Sequence, residues 1–217
     1  MDLPSIVGHI ADAIAALDAC GVPFKAFAKG AGPYGEPQLV RSIADSLNRR
    51  PEYGNRAKVK RSPDLLLEGL WAFEVKLARP FGDNGREAEN WSVNLLHPYP
   101  GNVSSIGDAL KLQSHAGPER RAVIAVGYEH SPPQISLDSL FRGFELIATN
   151  VVGVRIGPRV QERRLGLVHS VHQQVIVVAW EVLPGRQDAD PSGSPGAVTC
   201  PPTADDLPST RLQAKVS

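Results

Sequence analysis

Two carboxylates and an amine stand close together in the stretch Pro63 to Lys76: Asp64, then Glu74 ten residues on, then Lys76 two residues later. Alternation along a strand puts Trp71, Phe73, Val75 and Leu77 on one face and Leu70, Ala72, Glu74, Lys76 and Ala78 on the other. The first face reads as core; the second carries an acid and an amine side by side, with small alanines leaving room around them. Glu68-Gly69 supplies turn chemistry between this run and Leu65 to Leu67, so the two runs predict an antiparallel hairpin. A three-residue loop, 68 to 70, stacks Leu65 on Phe73 and Leu67 on Trp71 and sets Asp64 opposite Glu74, whereas a two-residue loop would turn the aspartate into the core. Directly opposed residues have Cβ atoms roughly 5 Å apart, so both carboxylates can hold one divalent ion, and without a cation they repel. Oxygen ligands, with the Val75 backbone carbonyl as a third, suit Mg²⁺ or Mn²⁺ better than zinc. Both carboxylates are expected to face a wet site.

Pro63-Asp64 followed by Glu74-Val75-Lys76 resembles the PD-(D/E)-x-K nuclease superfamily, the restriction-endonuclease-like fold. The resemblance covers about residues 36 to 127. It implies an α/β fold with an αβββαβ core, a central mixed sheet flanked by helices, and Mg²⁺-dependent hydrolysis of DNA phosphodiester bonds. Asp64 and Glu74 would hold the ion, and Lys76 would orient water and offset charge developing on phosphorus. Some members carry a metal-reaching glutamate on the helix before the hairpin; Glu36 is the matching residue, though a glutamate there also complements the helix dipole. A supporting polar residue on the following helix points to Gln113. The same motif also fits a domain that binds nucleic acid or another partner without cutting, and an ordinary hairpin with a surface Glu and Lys.

The elements that must position these groups are legible to differing degrees. The chain has 217 residues, 42% apolar and 21% charged, with zero formal net charge. That suffices for one α/β domain with a substantial core, and it leaves the question of a nucleic-acid partner to local charge. Helical spacing of Ile6, Ile10, Ile14 and Leu17 predicts a helix over Ser5 to Cys20, stopped at Gly21. Gly30-Ala-Gly32-Pro-Tyr-Gly35 formally matches a dinucleotide fingerprint, but Pro33 intrudes and the region about 20 residues on is basic where an acid should stand. A glycine loop giving tight entry into a helix is the simpler reading. That helix runs from Glu36 to about Arg49, with Pro37 in its first turn.

From Arg49 to Arg61 six basic residues meet the single acid Glu52. A charge run is by default a solvated face; ending two residues before Pro63, this one would border the carboxylates where a polyanion backbone needs neutralising. Arg56, Lys58, Lys60 and Arg61 are the candidate nucleic-acid contacts, on a first strand Arg56 to Arg61.

Arg79 to Val103 lacks periodicity and, if folded over the site, would present Arg86, Asn94 and His97. Ser104-Ser105 caps a helix to about His115, Arg121 to Tyr128 reads as a buried central strand, and a helix follows from Leu137 to about Asn150. Apolar runs at Gly166 to Val171 and Val175 to Val182 extend the sheet. His169 and His172, three apart on a strand, would face opposite ways and form no metal pair. The proline-rich composition after Pro184 predicts a disordered tail, giving a domain over 1–183 and a tail over 184–217. Cys20 and Cys200 are not expected to pair. With no signal peptide and no apolar run of membrane-spanning length, a cytoplasmic protein is expected. Monomer and homodimer both stay open.

Overall fold

The computed structural model describes residues 1–98 and 104–185, so the tail expected to be disordered lies, from residue 186 onward, outside the described residues. Within Met1–Gly185 the chain is a mixed α/β unit with a six-stranded mixed open sheet flanked by helices. Its elements are α1 (Leu3–Ala19), α2 (Glu36–Asn48), β1 (Ala57–Val59), β2 (Leu65–Leu67), β3 (Trp71–Ala78), α3 (Val93–Leu96), α4 (Ser105–Gln113), β4 (Arg120–Glu129), α5 (Asp138–Leu146), β5 (Val160–Leu165) and β6 (Gln174–Glu181). The strand order is β1-β2-β3-β4-β6-β5. Among the described residues only β3 and β4 run parallel; every other neighbouring pair is antiparallel.

The helices start where local chemistry starts them. Asp2 caps α1, its carboxylate accepting from the Ser5 amide at 3.0 Å, and Ser104 caps α4, its hydroxyl accepting from Gly107 N at 3.2 Å. Leu39, Val40, Ile43, Ala44 and Leu47 form the stripe by which α2 joins Ile6, Ile10 and Ile14 of α1 in a core that includes Trp71, Phe73, Val75 and Leu77. The opposite face of the sheet holds a second core, built by Ile106, Ala109 and Leu112 of α4 and Phe141 and Phe144 of α5 around Trp180. Helices therefore cover both faces, and all of β3 is buried. This corrects the expectation of a wet face around Glu74: that side chain is only 2% exposed.

Hairpin register follows side-chain size. Leu65 pairs with Phe73, Leu66 with Ala72 and Leu67 with Trp71, around a loop in which Gly69 takes the left-handed conformation at φ 72°. The last strands differ from expectation. Gly166 to Val171 is not a strand; β5 is the charged run Val160–Leu165, which alternates half-buried and exposed residues along the sheet edge. Gly166, at φ 75°, ends it.

His169 and His172 lie in the turn before β6, not on a strand, and their rings stack at 4.5 Å between centroids. His169 Nδ1 accepts from the amides of Val171 and His172 at 3.1 and 3.0 Å, so the proton sits on Nε2, which donates to Asp83. His172 Nε2 donates to the Phe81 carbonyl at 2.9 Å, and burial holds the His172 pKa down at about 4. Both rings are braces between chain segments. The glycine pattern near residue 30 serves the same packing: a Cβ on Gly32 would stand 2.1 Å from His172 Nδ1, and no strand precedes Gly30, as a dinucleotide fold would need. Because His172 is tethered and cannot retreat, Gly32→Ala is expected to cost about 1–3 kcal/mol, as overpacking does, and to lower the melting temperature by several degrees in calorimetry.

Candidate active site

The site forms where the sheet forks. Pairing of β2 with β3 stops at Phe73, while β3 runs on to Ala78 beside β4, leaving one edge of residues 74 to 78 without a strand partner among the described residues. Main-chain groups on such an edge must find other partners. At Val75 the N–H donates to Asp64 Oδ2 at 2.9 Å and the carbonyl accepts from Lys76 Nζ at 3.2 Å. Asp64 thus continues the hairpin past its last paired residue with a carboxylate in place of a carbonyl. The Val75 oxygen points into the same gap.

Glu74 enters the gap from β3 beneath α4. Its Oε1 accepts from Ser62 Oγ at 2.7 Å and lies 3.4 Å from Lys111 Nζ. Lys76 leaves the same face of β3 and is drawn between two helices, 3.2 Å from Glu36 Oε1 at the start of α2 and 3.1 Å from Asp108 Oδ2 on α4. Asp108 is 1% exposed and holds Lys111 at 2.8 Å with its other oxygen. The Lys76 approach to Asp108 is an ion pair without good hydrogen-bond alignment, since Oδ2 has no hydrogen-bond partner among the described residues.

The structure therefore brings together Glu36, Asp64, Glu74, Lys76 and the Val75 carbonyl, and adds three groups the sequence reading did not select: Ser62, Asp108 and Lys111. A signal for Asp108 exists in retrospect. It falls on the apolar side of α4, four residues before Leu112, where an acid has no reason to be buried without cationic partners. Gln113 is not brought in: it sits beside Gly185, and its backbone carbonyl accepts from Arg121. Five residues after Asp108 at 100° each, it points well away from the site. Arg56, Lys58, Lys60 and Arg61 are exposed and make no ion pair among the described residues, unlike Arg50, which binds Asp12 at 3.2 Å. Only Ala57–Val59 of the expected first strand is paired.

Four acids against two lysines leave the site short of positive charge, and the acid constants report it. Burial, with the charges of Asp108 and Asp64, pushes Glu74 up to about 7 against the lowering effect of the Ser62 hydroxyl. Burial raises Glu36 against the pull of Lys76. Burial works to lower Lys76, but Asp108 and Glu36 outweigh it and raise its pKa, so Lys76 is a fixed cation and not a base. Lys111 is raised by Asp108 in the same way.

Glu74 also fixes a sign for stability. Its folded pKa exceeds the unfolded value of 4.5, so its contribution is present below that value and is lost as pH rises through about 7. Glu74→Gln removes this loss. In EDTA the melting temperature of Glu74→Gln is expected to gain on the wild type by several degrees between pH 5 and pH 8; an unchanged difference would contradict the raised pKa. The comparison is of differences because His172, with its depressed pKa, adds an opposite slope below pH 6.5.

The donor set suits a hard cation that keeps several waters. No cluster of three or more His, Cys, Asp or Glu side chains suited to an ion occurs among the described residues. One or two carboxylates are nonetheless what Mg²⁺ commonly takes from protein, and the raised pKa of Glu74, caused by burial and by the charges of Asp108 and Asp64, marks where positive charge is lacking. No helix among the described residues is long and apolar enough to cross a membrane. No protein-family model, curated protein or solved structure matches the chain.

Proposed function

We propose that the protein is a Mg²⁺-dependent nuclease, with Mn²⁺ as a substitute, that hydrolyses DNA phosphodiester bonds on the PD-(D/E)-x-K plan of a restriction-endonuclease-like fold. The observation that carries this reading is the convergence of Asp64, Glu74, the Val75 carbonyl and Lys76 at the open edge of β3. The succession α2-β1-β2-β3-α4-β4, with the four-residue α3 in the connection after β3, supports it, since an αβββαβ core has that order.

Asp64 and Glu74 would hold the ion, with the Val75 oxygen as third protein ligand. A bound Mg²⁺ supplies Lewis-acid polarisation of a phosphate oxygen and lowers the pKa of its water. Lys76, kept protonated by Asp108 and Glu36, offsets charge gathering on the phosphoryl oxygens. Glu36 places that ammonium and is a ligand only if Lys76 releases it. Lys60 donates its amide N–H to the Asp64 carbonyl, at the site end of the first strand, and with Arg56, Lys58 and Arg61, all exposed and without an ion pair among the described residues, would take the flanking phosphates. The deciding assay incubates purified protein with circular and with linear DNA, in Mg²⁺ and in EDTA. Cleavage of either that EDTA stops supports the reading; salt-sensitive binding without cleavage would make the protein a non-cutting DNA-binding domain.

A further inference from the structure

Past Lys76 the chain leads from the carboxylates into a separate cavity of about 390 Å³, whose lining includes Arg79, Phe27, Phe81, Trp91, Glu89 and Asn94. That volume lies at the lower end of the range of small-molecule clefts, roughly 300–1,000 Å³. Arg79 is three residues after Lys76, about 10 Å at strand rise, and its guanidinium donates to the carbonyl of Gly32 at 2.8 Å, in the loop that leads to Glu36. The loop therefore borders the cavity through Pro33 and leads at Glu36 into the carboxylate site.

The cavity's frame is fixed. Asp83, at its rim, is held by His169 and accepts from Ala28 N at 3.3 Å, and His172 holds the Phe81 carbonyl. Its polar lining groups lie at the open side: Glu89 and Asn94 are exposed and Trp91 half-buried, and the Trp91 indole N–H, the Asn94 amide and the Glu89 carboxylate have no hydrogen-bond partner among the described residues. Phe27 is 49% exposed although aromatic. The wall chemistry selects the occupant. Asp83 and Glu89 disfavour a phosphate, and Arg79 is tied to the Gly32 and Tyr34 carbonyls, while aromatic side chains with donors and acceptors beside them suit a neutral ring that stacks and offers its edges.

We infer that this cavity receives one unstacked nucleobase of the nucleic acid whose backbone lies at the Asp64–Glu74 site. This deepens the nuclease reading and rests on it for the position of the backbone. Phe27, Phe81 and Trp91 provide the faces against which the ring stacks, and Asn94 and Glu89 meet its polar edge. The base must leave its stack to enter, so single-stranded or distorted DNA pays less than a paired duplex.

The test is equilibrium binding of the full chain in EDTA, by fluorescence anisotropy, to a labelled strand of twelve deoxycytidines and to an abasic strand of equal length. The deoxycytidine strand is expected to bind about tenfold more tightly, the scale of one stacked base. Trp91→Ala should remove most of that difference, and Asn94→Ala, an exposed position with little bearing on folding, should reduce it severalfold, both leaving the abasic strand unaffected. Equal affinity for the two strands, absence of binding to both, or variants that weaken both strands alike would overturn the base site. Cleavage with Mg²⁺ is scored separately. Cutting without base dependence removes the cavity proposal alone, whereas base-dependent binding without cutting removes the nuclease reading and keeps the cavity.

Discussion

Asp64→Ala is expected to lower DNA cleavage at least about a thousandfold, because loss of the ion's hold removes several kcal/mol of stabilisation and each 1.4 kcal/mol is a factor of ten. The protein should stay folded. Asp64 is half-buried, and its removal has two opposed effects on stability: the Val75 N–H loses its acceptor, which costs about 1 kcal/mol, and Glu74 loses a repelling neighbour, which returns part of it. A melting temperature within a few degrees of wild type follows. Asp64→Asn separates the two roles, since its amide oxygen still accepts from Val75 but carries no charge. It should melt at or above wild type while cleaving no better than Asp64→Ala. Full cleavage by either variant, with Mg²⁺ the only divalent ion added, would refute the assignment of Asp64; a collapse in stability for both would make it a structural cap.

The hairpin was legible in the sequence because two independent constraints select one register. Large residues at 65, 67, 71 and 73 must stack, and a slip by one would bury a carboxylate, so Leu65 opposite Phe73 follows from the residues alone. The burial of Glu74 was not legible, since alternation reports two faces without saying whether α4 covers the second. The edge strand failed for the converse reason. Val160–Leu165 carries Gln, Glu and two arginines because an edge strand must stay charged, and the neighbouring apolar residues Leu167 and Val171 are buried by a turn around two histidines and not by pairing. Asp108 stands 34 positions after Glu74 (108 − 74), on another element, so only the docking of α4 on β3 makes it a neighbour.

That docking gives the remaining prediction. Asp108 is the hinge of the charge network: one oxygen faces Lys76, the other Lys111, and its charge raises Glu74. Removing one partner of a buried ion pair commonly costs 3–5 kcal/mol (on the order of that range) because a bare charge is left behind. Here the loss should be smaller. Three acids remain for two lysines, Lys76 keeps Glu36 at 3.2 Å, and Lys111 keeps Glu74 at 3.4 Å with a half-exposed side chain that water can reach. Asp108→Asn is therefore expected to fold, with turnover down about 10- to 100-fold as for loss of a residue that orients a ligand or catalyst. Its distinguishing mark is a pH shift. With one repelling charge gone, Glu74 ionises at lower pH, so Mg²⁺ binding, followed by calorimetry from pH 5 to pH 8, should reach its half-point at lower pH than in wild type. A purely structural aspartate would lower turnover and stability together and leave that half-point in place. Reduced turnover with an unmoved half-point would therefore mean that Asp108 only packs α4 onto the sheet.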